Sequence, residues 1–192
     1  MASFKKHMAK VRLKLMASRI APAEINLPGD LLEVQSVLIC LPPQQRELTM
    51  VKGLLPEVTK IFSKAKIYIL ACPGSNIYDI FPRKGYYILT PSTKHVTWLG
   101  LPNKNYLDVL GEYKFDLILD MNLDINYFMQ AILLSFPNTI RVGRANFLGQ
   151  PYFNLEIKTR YLRDEKNIYK SIIETLDRLM VYGQSNINNS TS

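Results

Sequence analysis

From Ser36 onward, short β-branched and aliphatic runs alternate with stretches whose apolar residues recur at three and four. SVLICL (36–41) has the length and content of a buried strand. Leu48, Val51, Leu54, Leu55, Val58, Ile61 and Phe62 follow at helical spacing, which predicts a helix despite Gly53 and Pro56. KIYILA (66–71) and GYYILT (85–90) predict two further strands, and HVTWLG (95–100) a short strand or an edge hairpin. A helix over 105–111, a strand FDLILDM (115–121) and a helix over 125–136 come next. Strands TIRVG (139–143) and FNLEIKT (153–159) then lead to a final helix over 164–182. The last ten residues, GQSNINNSTS, are polar and read as a disordered tail over 183–192. Strands alternating with helices predict an α/β fold: a single Rossmann-like, doubly wound, mostly parallel sheet over 31–182.

Before that domain, Phe4, Met8, Val11 and Leu15 fall at helical spacing, with Met16 and Ile20 close to the same stripe and lysines mostly elsewhere. This predicts an N-terminal amphipathic helix within residues 1–30, joined to the domain through the turn residues Leu27-Pro28-Gly29-Asp30. The stripe has three destinations: its own domain, a helix of another chain, or an anionic membrane surface.

Charge sharpens this picture. Of the 24 Lys and Arg, six (Lys5, Lys6, Lys10, Arg12, Lys14 and Arg19) precede the first acid, Glu24, leaving 18 against 16 acidic residues in the rest. The formal charge of +8 therefore belongs largely to the first twenty residues. With a nearly balanced body and no recognition-helix, zinc-finger or RNP-type motif, no nucleic-acid partner is expected. At 192 residues, 47% of them hydrophobic, the chain fits one ordinary core, and its apolar runs fall short of a membrane span. No secretory leader pattern is visible. Cys40 and Cys72 lack metal-ligand spacing and scaffold density, so buried thiols in a reducing cytoplasm are expected.

In a doubly wound sheet the loops beyond the strands' carboxyl ends line the binding crevice. By that rule the candidates are 42–47, 72–76, 91–94 and 120–124. Asp120 ends a strand and is a site candidate, with a structural hydrogen bond as its alternative; Asn122 either joins it or satisfies the turn. Asp124 directly precedes a helix and is expected as its N-cap. Pro73-Gly74-Ser75-Asn76 is a turn whose N–H groups, at a helix start, would suit a phosphate, so Gly74 and Ser75 are ligand candidates. Arg141 and Arg144 would either reach an acidic ligand or lie solvated at the surface. His7 and His95 give no metal site, and no dinucleotide fingerprint, P-loop or nucleophile elbow occurs. Neither metal nor cofactor is expected.

The segment VLICLPPQQRELTMVKGLLPEVTKIFSKAKIYIL, followed by FDLILDMN and IRVG, resembles the N-terminal half of the ADP-heptose:lipopolysaccharide heptosyltransferase-like glycosyltransferases, over roughly 36–147. That family has two Rossmann-like domains facing a cleft, the second of which binds the nucleotide sugar; nothing after Thr159 has the length for it. The family's Gly-Asp pair at the start of the first helix, whose Asp activates the acceptor hydroxyl, falls here on Arg46 and Glu47. The resemblance thus implies Glu47 as a general base, with Gln45 and Arg46 beside the ligand; the residue-based alternative is a first-turn glutamate favoured by the helix dipole. It implies a glycosyltransferase-related single domain assisting cell-envelope sugar transfer, with a sugar or sugar-phosphate ligand and a donor domain from a second chain. The alternative is a non-catalytic Rossmann-like binding or scaffolding protein. Either would be cytoplasmic, with the basic helix placing it peripherally at the inner membrane or against a partner helix.

Overall fold

The computed structural model describes residues 2–21, 24–75, 77–81 and 84–190. Six parallel strands form one sheet: β1 (Ser36–Cys40), β2 (Lys66–Leu70), β3 (Tyr87–Leu89), β4 (Leu117–Asp120), β5 (Ile140–Arg144) and β6 (Leu155–Ile157), in the order β3-β2-β1-β4-β5-β6. The helices are α1 (Ala2–Ala17), α2 (Gly29–Leu32), α3 (Gln45–Ile61), α4 (Lys104–Gly111), α5 (Tyr127–Ser135) and α6 (Glu165–Ser190). The architecture is the doubly wound Rossmann-like sheet with an N-terminal helix, and all its strand pairs are parallel.

Strand residues alternate between two cores, as pleating requires. Val37, Ile39, Leu117, Leu119, Ile140 and Val142 pack under α3 and α6, whereas Leu38, Cys40, Ile118 and Leu70 pack under α4 and α5. The central strands are buried on both faces, which is why their sequences read as continuous apolar runs. Pro56 sits inside α3 on its exposed side, where the carbonyl it leaves unpaired is open to water.

Several local expectations are corrected. HVTWLG is not a strand of the sheet: a single 3₁₀ turn, Thr93–His95, leads into a loop closed by an isolated antiparallel bridge between Val96 and Pro102. The polar 183–190 segment continues α6 rather than fraying. Gly183 lies where α6 passes α2: a Cβ there would come within 2.9 Å of Leu32 and Pro28, so the close passage of the two helices needs a bare backbone at this position. Arg141 is neither solvated nor free for a ligand. It is 1% exposed, and its guanidinium donates to the carbonyls of Phe136 (2.7 Å), Pro137 (2.6 Å), Thr139 (3.3 Å), Tyr152 (3.0 Å) and Pro151 (3.1 Å). Arg144 reaches the Leu162 carbonyl at 3.4 Å.

The N-terminal helix departs most from expectation. Its packed face is Ala9 and Leu13, with Met16, Ala17 and Ile20, against Ala131 and Leu134 of α5 and Leu101. Phe4, Val11 and Leu15 point away and are 63%, 39% and 51% exposed. Met16 and Ile20 thus belong to a different stripe from Phe4 and Val11, and the helix carries two apolar faces rather than one.

Gly143 of β5 lies flat beneath the Phe153 ring, where an added Cβ would overlap the ring carbons. Gly143→Ala is expected to lower the free energy of urea unfolding by about 1–3 kcal/mol, the usual cost of overpacking a filled core. The double variant Gly143→Ala/Phe153→Leu should then lose less than the sum of the two single changes, because the smaller side chain makes room.

Candidate functional site

Strand order reverses direction between β1 and β4, so the crevice of this sheet opens between the loops that follow them. One wall is the Leu41–Gln44 loop and the first turn of α3, and the other is the Met121–Asn126 loop before α5. Gln44 and Asp124 join across the opening, Nε2 to Oδ2 at 3.2 Å. Asp124 is therefore a bridge across the crevice and not the N-cap of α5. That role falls to Asn126, whose side chain accepts from the Met129 N–H at 3.2 Å.

Beneath this opening lies a buried polar network. Register pairs Cys40 with Asp120, and Asp120 is 4% exposed. Its Oδ1 accepts from the backbone N–H and the side-chain amide of Asn122, at 3.1 and 2.6 Å. Asn122 in turn accepts from Asn126 Nδ2 at 3.0 Å, and the second proton of that amide goes to the Cys72 sulfur at 3.2 Å. The Cys72 thiol reaches the Leu41 carbonyl at 3.5 Å. The ends of β1, β2 and β4 and the start of α5 are thereby held by one chain of hydrogen bonds. Burial pushes the Asp120 carboxyl up to about 6, offset in part by the two bonds from Asn122. Burial also pushes the Cys72 thiol up to about 11 and raises the Cys40 thiol well above its ordinary value, so neither is a thiolate nucleophile near neutrality.

Glu47 occupies the first turn of α3 and is 3% exposed. The Tyr169 hydroxyl of α6 lies 3.2 Å from Glu47 Oε1 and 3.0 Å from the Met121 carbonyl. That hydroxyl has one proton for two acceptors. The tyrosine is the donor to both, so its single proton is shared between the Glu47 carboxylate and the Met121 carbonyl. The Glu47 carboxyl is shifted upward, first by burial and then by the nearby charges of Glu165 and Asp124, against the Tyr169 bond and Arg46. Arg46 itself is exposed and pairs with Glu165, Nε to Oε2 at 3.5 Å.

The candidates thus fall into two groups. Gln45, Arg46 and Glu47 lie in the first turn of α3 and Asp120 and Asn122 at the end of β4, on the two sides of the crevice, with Arg46 turned to Glu165 and Glu47 to Tyr169 of α6. Gly74 and Ser75 lie beyond β2, where no helix begins among the described residues. Their N–H groups already donate to the carbonyls of Pro91 (3.1 Å) and Cys72 (3.1 Å), and Gly74 takes a left-handed φ of +76° to do so. Asn76 is outside the described residues. Sequence reasoning placed Gln44 only within the 42–47 loop and missed Asn126 and Tyr169. Tyr169 was discoverable in principle, since a phenol within the aliphatic stripe Ile168, Ile172, Ile173 needs a buried partner. Among the described residues no three His, Cys, Asp or Glu side chains gather as a metal site requires.

No family model matches the chain, and no curated protein is significantly similar to it in sequence. Among solved structures, the glycosyl transferase family 9 protein from Veillonella parvula is similar over 76% of this chain, with a TM-score of 0.53 and 15% identity. The match covers 42% of that protein's length. The fold is glycosyltransferase-like.

The Asp120 environment sets a pH dependence. A carboxyl raised to about 6 in the folded chain holds its proton more tightly than the unfolded chain does. Its contribution to stability is therefore lost as pH rises from about 4 to about 6 and is constant above that. Asp120→Asn keeps the Oδ1 acceptor for Asn122 and removes the ionisation. In urea unfolding it should gain on the native protein between pH 4 and 7, by on the order of 3 kcal/mol. An unchanged difference across that range would show that Asp120 titrates normally.

Proposed function

We propose that this chain is a glycosyltransferase-related domain that holds a hydroxyl-rich, uncharged sugar in the crevice between β1 and β4, with the activated donor bound by a second domain or chain. The observation that carries this reading is the Gln44–Asp124 bridge above a buried carboxylate and amide network at the switch point of a glycosyltransferase-like sheet. Carboxamide and carboxylate groups at a crevice mouth pair well with sugar hydroxyls, which both donate and accept. Among the described residues, Asp124 and Glu165 stand beside Glu47 with Arg46 as the opposing cation, which disfavours a phosphate there, so of the sugar and sugar-phosphate ligands the uncharged one fits better. Two buried free thiols are in keeping with a reducing cytoplasm.

Whether Glu47 is a base decides between transfer and binding. A carboxyl with an upward shift is suited to proton abstraction near neutrality, which supports an acceptor-activating role as in the heptosyltransferase-like enzymes. Its near-complete burial and its engagement with Tyr169 favour the second reading, a non-catalytic sugar-binding or scaffolding domain in which Glu47 anchors α6.

Titration of isotopically labelled protein with neutral hexoses and heptoses, their phosphates and nucleotide sugars separates these readings. The expected result is perturbation of the Gln44, Gln45 and Asp124 amides by neutral sugars, weakened at least about fivefold in Gln44→Ala, which loses one hydrogen bond. Glu47→Gln should leave binding intact if the residue is structural, and abolish its pH dependence if it is a base. No crevice perturbation at millimolar sugar would overturn the proposal.

A further inference from the structure

Among the described residues, none packs against the outward stripe of α1. Phe4, Val11 and Leu15 recur at seven and four, which places them on one face of the helix, opposite Ala9 and Leu13. Exposed phenylalanine and leucine on a helix already seated by its other side need a separate explanation. Its setting supplies one. Lys5, Arg12 and Arg19 flank the stripe on one side and Lys10 and Lys14 on the other, all exposed, and no acid precedes Glu24 in the sequence.

A second feature adjoins the stripe. Ser3, Lys6, His7 and Lys10 form with Tyr127, the first residue of α5, a groove of about 450 Å3. It is open, polar and bordered by two lysines, with room for a phosphate group and its glycerol. The groove lies at the seam of α1 with α5, and Lys10 on its rim is also one of the cations that flank the apolar stripe. That is the arrangement of a helix lying in a membrane interface, with its apolar face among the acyl chains and its cations at the phosphates. No helix among the described residues is long and apolar enough to cross a bilayer, so the contact is with one surface.

We infer that α1 docks this protein on an anionic phospholipid surface, Phe4, Val11 and Leu15 entering the acyl boundary while Lys6, Lys10 and their neighbours bind headgroup phosphates. A second copy of the chain is the less suitable occupant, since two such helices would oppose ten cations with no acid on either helix. The inference does not depend on what occupies the crevice.

Cosedimentation of the full chain with vesicles of equal parts phosphatidylglycerol and phosphatidylcholine tests it, beside vesicles of phosphatidylcholine alone. Binding is expected to the anionic vesicles, to weaken as salt is raised, and to fall at least about tenfold in Phe4→Ser/Val11→Ser/Leu15→Ser and in Lys6→Glu/Lys10→Glu. Leu162→Ser, which changes a side chain 80% exposed on a remote loop, should bind as the native protein does. All these positions are exposed, and an unchanged thermal midpoint verifies that each variant is folded. Equal binding by the triple-serine variant, or no preference for the anionic vesicles, overturns the inference. So does self-association without lipid that the triple-serine substitution abolishes, which would make the stripe a contact between copies.

Discussion

The pairing of β1 with β4 sets a carboxylate, Asp120, beside Cys40 inside the sheet, and the crevice is built around satisfying it. Among the described residues no cation pairs with it. Ionised and unpaired, such a group would be expensive in an apolar interior. The chain answers with amides and a partial retention of the proton. Asn122 folds back on Asp120, Asn126 supports Asn122, and Asn126 is also the residue that starts α5. The direction in which α5 leaves the sheet and the shape of the crevice floor are thus fixed by the same few hydrogen bonds.

The amino end of the sheet solves the opposite problem with different means. Arg141 enters β5 as a buried cation without a carboxylate partner among the described residues, and carbonyl dipoles take its donors. Phe136 and Pro137 lie where α5 ends, so the guanidinium meets the negative end of that helix. Tyr152 and Pro151 belong to the loop that returns to β6. One side chain therefore ties the end of α5 to the last crossover of the sheet. Arg is suited to this because its fork of five donors can serve several carbonyls at once, as lysine cannot.

The doubly wound parallel sheet and its central strands were legible from the sequence because those strands are buried on both faces and leave uninterrupted aliphatic runs. Side-chain roles were less legible, for reasons that differ from residue to residue. TIRVG reads as a strand whose arginine is solvated or reaches an acidic ligand, since nothing local announces that five carbonyls converge on it. Asp124 and Asn126 are both good capping residues two positions apart, and only the Gln44 contact from a distant loop decides which one caps. Gly183 reads as a helix end by composition, yet α6 runs through it, and the close approach of Pro28 and Leu32 accounts for the missing side chain. In α1 the two stripes overlap in sequence and separate only once the α5 surface selects Ala9 and Leu13 for close packing.

That selection links the two ends of the functional argument. Ala9 brings α1 close to α5 with Leu13 and Met16 beside it, and this leaves Phe4 and Leu15 outward, where they do not contribute to the core. A helix under selection for stability alone would bury its phenylalanine and expose its alanine. The reversed arrangement costs the domain apolar burial and is explicable if the exposed side has its own contact to make. The first turn of α5 lies at the junction: Asn126 belongs to the Asp120 network and Tyr127 borders the cationic groove. The outward face of α1 and the crevice are consequently built on the same rigid helix, and a surface that engages one holds the other at a fixed orientation to it.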